Sequence, residues 1–135
     1  MSMTVNQIVA DRDHARETLG MLASNLNDGI DAIEAKVFQE DRDFTSSERN
    51  RRDFLRASLN ETNGAISELA FVTLDRLNQS AEVERMRDDI DDVNRQIRDD
   101  LMRLKAIEDF AQQAAAALAL LAQIAEGLAG LAAKL

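Results

Sequence analysis

The chain has 135 residues, with 25 Asp and Glu against 16 Lys and Arg and a formal net charge of −9. That length holds one domain, 1–135, around one modest core. With no Cys and a single His (His14), a disulfide framework, a thiolate nucleophile, a cysteine zinc cluster and any site built on two imidazoles are excluded. The acidic balance argues against nucleic acid as a partner, because binding a phosphate backbone rests on Lys and Arg. No basic stretch leads into an apolar one at the N-terminus, so no secretory signal peptide is expected. A cytoplasmic location is favoured, and secretion without a signal peptide stays open.

The chain lacks Pro and has only 5 Gly, so few residues interrupt a helix. Runs of β-branched and aromatic residues are missing, and the fold class read from this is all-α. Thr4 is placed to cap a first helix whose apolar stripe runs through Ile8, Ala15, Leu19, Leu22, Leu26, Ile30, Ile33 and Val37. The steps of three and four residues are those of one helical face. Asn27-Asp28-Gly29 is a turn signal inside that stretch. Since the stripe keeps phase across it, one helix is expected to about residue 40.

Glu40-Asp41-Arg42-Asp43 breaks the stripe, and Thr45-Ser46-Ser47-Glu48 has the spacing of a capping box. The second helix then carries Phe54, Leu55, Leu59, Thr62, Ile66, Leu69, Thr73 and Leu77. It is expected to end near Asn78-Gln79-Ser80, with Ser80 capping the third helix. Val83, Met86, Ile90, Val93 and Ile97 follow at heptad spacing. Asp100 falls on the next seam position, with Leu101 beside it to substitute, and the seam resumes at Leu104. No helix-stopping residue precedes Gly127, so the third helix is expected to run on through the Ala- and Leu-rich segment 111–135. The predicted architecture is an up-down-up bundle of three long antiparallel helices whose C-terminal segment overhangs the first two. A turn back near Ala116 or Gly127, making a fourth helix, is the alternative.

The overhang motivates the functional expectation. Leu118, Leu121, Ile124, Leu128 and Leu131 form a broad apolar face, which would bury against a second copy or another protein. Opposite lies a narrow face of small and polar residues, Gln112, Ala116, Ala119, Gln123, Gly127, Gly130 and Lys134. The expected function is a non-enzymatic helical interaction or assembly subunit that oligomerises or docks a partner. Two rivals remain. Segment 111–135 would insert into or lie on a membrane, against which Gln123 and Glu126 count. Otherwise Asp88, Asp89, Asp91 and Asp92 would form an acidic patch for a basic toxin or nuclease. The bland reading of that patch is a solvated face with Asp91–Arg95 and Asp99–Arg103 pairs. Arg49, Arg51, Arg52 and Arg56 are expected to partner the acidic helix. Neither a catalytic residue nor a metal or cofactor site is assigned: His14 sits among charges at a helix start, and no phosphate-binding glycine loop is present.

Overall fold

A computed structural model describes residues 4–134, among which helices and their connections account for the whole fold. Helix α1 spans Val5–Gln39. Thr4 caps it: its hydroxyl accepts from the Gln7 amide at 3.1 Å while the Gln7 side chain accepts from the Thr4 amide at 2.8 Å. The helix passes through Asn27-Asp28-Gly29 unbroken, as the phase of its stripe requires, with Leu26 and Ile30 buried on either side. Past Glu40 the chain turns at Asp41, whose φ of 47° is left-handed. The Asp41 amide donates to the Phe38 carbonyl at 3.2 Å and the Arg42 amide to the Val37 carbonyl at 3.4 Å. This is a Schellman closure with Asp in the position usually taken by Gly.

Helix α2, Ser46–Leu69, begins on the expected capping box, with Thr45 and Glu48 exchanging bonds of 3.1 and 3.0 Å. Arg42 adds a bidentate clasp on Glu48, at 2.7 and 2.9 Å, and also reaches Glu40. That guanidinium holds the Glu48 carboxyl well below the usual carboxylate range. The end of α2 differs from the expectation. The helix stops at Leu69, and a four-residue helix α3, Leu74–Leu77, follows with Thr73 as its cap. Thr73 therefore belongs to a turn rather than to the α2 stripe. Arg12 of α1 donates to the Val72 carbonyl at 2.6 Å and ties this turn down. Ser80 is not a cap: α4, Ser80–Lys105, has Gln79 at that position with no side-chain bond.

The largest departure comes after α4. The helix of more than 45 residues does not form. Ala106 ends α4, Ile107 is extended (φ −97°, ψ 120°), and a 3-10 turn at Glu108–Phe110 leads into α5, Ala111–Lys134. With neither Gly nor Pro at the break, the turn is set by burial: Leu104 and Phe110 both enter the core. Charge favours it too, since Arg103 and Lys105 occupy the last turn of α4 and Glu108 and Asp109 open the next element. The segment that was expected to overhang thus folds back along the protein.

Helix α1 packs against α2 and α5, and α4 packs against the same two. Neighbours meet start to end. Glu34 near the end of α1 pairs with Arg56 near the start of α2 at 2.5 Å. Arg103 at the end of α4 stacks on Phe54 in the first half of α2, 3.9 Å from its ring centre. Between α4 and α5, Asn94 donates to the Leu121 carbonyl at 3.3 Å. All five helices and the 3-10 turn contribute to one continuous core.

Candidate functional site

Helix α5 decides where a functional surface can lie. Its leucine-rich face looks inward. Leu121 is 2 % exposed and Ile124 and Leu128 are fully enclosed, while Leu118 and Leu131 are half-buried against the same core. Of the five residues expected to meet a partner, Leu121, Ile124 and Leu128 are therefore buried within their own chain, while Leu118 and Leu131 keep part of their surface open. The physical reason is length. Once the helix turns at Ile107, the 24 residues of α5 run back along the 26 of α4, and its apolar face packs on α1 and α4.

What α5 turns outward is the face of small and polar residues. Gln112, Ala116, Ala119, Ala122, Gln123, Glu126, Ala129 and Ala133 are exposed, with Gly130 half-exposed. Gly127 is buried and belongs to the inner side; the Lys134 side chain lies outside the described residues. Along this face, positions 112, 116, 119, 123, 126, 130 and 133 alternate steps of four and three. That is the spacing at which one helix meets another along its length. Glu126 is the single charge among them.

The outward side of α4 is its opposite in chemistry. Asp88, Asp89, Asp91 and Asp92 are all exposed, but the helix spreads them over roughly 160° of its circumference. Asp89 lines a groove toward α2 with Glu68, Phe71, Arg76 and Arg85. Asp91 lines a different one toward α5 with Asn94, Arg95 and Leu118, of about 460 Å³. Asp88 and Asp92 sit between, next to Arg87 at 3.3 Å and Arg95 at 3.0 Å. The four residues are not brought together. The pairs along α4 are spaced i,i+3 (Asp92–Arg95, and Asp100–Arg103 at 4.0 Å) in place of the i,i+4 pairs expected from spacing. Among the described residues no group of three or more His, Asp or Glu stands close enough to hold a metal ion.

No protein-family model, curated protein or solved structure matches this chain.

The arginines at the start of α2 also find other partners than those expected. Arg56 pairs with Glu34 of α1, and Arg52 pairs with Asp53 at 3.4 Å and covers the Phe44 ring at 4.4 Å. Arg49 and Arg51 point to solvent. His14 is exposed on α1.

Two features escaped the sequence reading. Phe38 is 86 % exposed at the α1–α2 corner, beside a hollow lined by Val37, Arg42, Phe44 and Arg52. The signal was two consecutive apolar residues, Val37 and Phe38: helical geometry sends them 100° apart, so only one faces the core. The second is a carboxylate pair, Glu61 of α2 and Asp100 of α4. The Glu61 carboxyl is pushed up to about 7, first by burial and then by the neighbouring Asp100. Its signal was Asp100 itself, an acid on the hydrophobic seam.

Proposed function

We propose that this chain is a non-enzymatic assembly protein, an up-down-up-down bundle of four long helices that pairs with a second copy through the outer face of α5. The observation that carries this reading is the charge on that face. The protein is 30 % charged, yet from Gln112 to Ala133 the outward side of α5 holds the single charge Glu126. A solvated helix face ordinarily carries Lys, Arg, Asp and Glu, as the outward side of α4 does. Alanines at alternating steps of three and four let a second helix approach closely. An antiparallel pairing puts Glu126 opposite Ala119 and sets the two Gln123 side chains near the symmetry axis. A parallel pairing would oppose Glu126 to itself and cost the repulsion of like charges. Both arrangements are isologous and compatible with a two-fold dimer, so the charge on Glu126 is what selects the antiparallel one.

Light scattering behind size exclusion tests this. The wild-type chain is expected to run as a dimer, and Ala116→Lys or Ala122→Lys as a monomer of unchanged helicity, since both positions are exposed and neither faces Glu126 in that register. A wild-type monomer at high protein concentration overturns the self-association reading.

A membrane-active function is the second reading. It draws on the stretch Glu108–Ala133, which is long and apolar enough to cross a bilayer. Gln123 and Glu126 on the lipid-facing side count against it, and co-flotation of the monomer with anionic vesicles would favour it. The acidic-inhibitor reading draws less support, because Asp88, Asp89, Asp91 and Asp92 are divided between two grooves and a ridge.

A further inference from the structure

Glu61 and Asp100 face each other where α2 packs on α4. One Glu61 oxygen, Oε2, is shut off from solvent and receives no hydrogen bond. Asp100 is half-buried, its side chain 20 % exposed, and is the group within hydrogen-bonding reach of Glu61. Two ionised carboxylates have no proton between them to share, and each would leave the other's charge uncompensated in a partly dry interface.

The surrounding charges offer little relief. Arg103, one turn along α4, lies 4.0 Å from Asp100 but is drawn over the Phe54 ring at 3.9 Å and is itself largely exposed. On α2, Glu68 lines the same cavity as Glu61, with Asn60, Gln96 and Val93, and adds a further acid. On the side toward α1, Arg56 is engaged by Glu34. The neighbouring groove, about 320 Å³, opens beside Glu61 between α2 and α4.

We propose that Glu61 and Asp100 share a single proton across the α2–α4 interface, so that the packing of these two helices depends on whether that proton is present. With the proton, the carboxyls form one short O–H···O⁻ bond, which satisfies Oε2 of Glu61 and leaves one charge to be solvated from the exposed edge of Asp100. Without it, like charges meet across the interface and drive α2 away from α4.

The sign follows from the direction of the Glu61 shift. A carboxyl whose affinity for its proton rises on folding contributes stability that is fully present below the ordinary carboxylate range. That stability is lost as the pH rises through about 7. The bundle is therefore tighter under mildly acidic conditions than at pH 8, the reverse of the behaviour of a salt-bridged carboxylate.

The direct test is a ¹³C carboxyl titration of the full chain by NMR, with the Glu61 signal assigned by its loss in Glu61→Gln. The expected midpoint is near 7, falling by at least about one unit in Asp100→Asn, whose amide donates to an ionised Glu61. A wild-type midpoint in the ordinary range, about 4.3, overturns the proposal. So does a midpoint unmoved by Asp100→Asn, which would assign the shift to burial alone. Equilibrium unfolding between pH 5 and 8, in a His14→Gln background, supplies the second readout. The wild type is expected to lose stability as pH rises, and the isosteric Glu61→Gln is expected to be insensitive. A Glu61→Gln chain that keeps the same slope overturns the link to helix packing.

Discussion

The two corners of the bundle that matter most, α1 to α2 and α4 to α5, are built on different physics. At the first, every device is local. Asp41 turns left-handed, Thr45 and Glu48 cap each other, and Arg42 clasps Glu48 and Glu40 from a few residues away. At the second, no side chain caps the 3-10 turn that leads into α5, and the turn residue Ile107 is an ordinary extended residue. What holds it is Phe110, 3 % exposed, whose ring enters the core beside Gly29 of α1. A corner made of local hydrogen bonds is written in adjacent residues. A corner made by burying one side chain is written in a partner some eighty positions away.

Substitutions can break this contrast. Phe110→Ala should have the largest effect, a loss of about 3–5 kcal/mol in equilibrium unfolding. Protection of α5 amides in hydrogen exchange should fall first, because the turn loses its anchor. If the loss is under about 1 kcal/mol, the corner is held by something other than burial. Asp41→Gly should act at the other corner in the opposite direction, gaining about 1 kcal/mol by removing a side chain from left-handed backbone. A denaturation midpoint unchanged or lowered by that substitution would mean that the Asp41 side chain contributes to the closure.

Gly29→Ala should give the smallest net change, within about 0.5 kcal/mol. Alanine favours the helix by about 1 kcal/mol, but the added methyl would stand 3.3 Å from Leu55 and 3.5 Å from the Phe110 ring. A full helix-propensity gain would show that the Leu55 side chain yields freely to the added methyl.

Gly29 also shows why one residue can be misread. Beside Asn27 and Asp28 it has the composition of a turn, yet it sits inside α1, where a side chain would press on Leu55 of α2 and touch Phe110. The stripe through Leu26 and Ile30 was legible, and it correctly overrode the turn signal. What surrounds the glycine was not, because its neighbours Leu55 and Phe110 come from other elements rather than from α1. The same holds for the candidate surface. Both faces of α5 could be read from spacing alone, the leucines on one side and the small residues on the other. Which face met solvent depended on a turn with no Gly or Pro to announce it. The exchange from Arg103 and Lys105 to Glu108 and Asp109 was the available clue, a modest one beside an apolar seam that continues in phase across the break.

Periodicity and capping chemistry, which act within about four residues, determined by themselves that the chain is helical, where α1 and α2 begin, and which side of each long helix is apolar. Only the tertiary structure decided that α4 and α5 are separate helices, that the leucines of α5 close the core, that its alanines face outward, and that Glu61 meets Asp100. Those outcomes rest on contacts between distant segments, where burial outweighs the small preference of Ala106, Ile107 and Glu108 for continuing a helix.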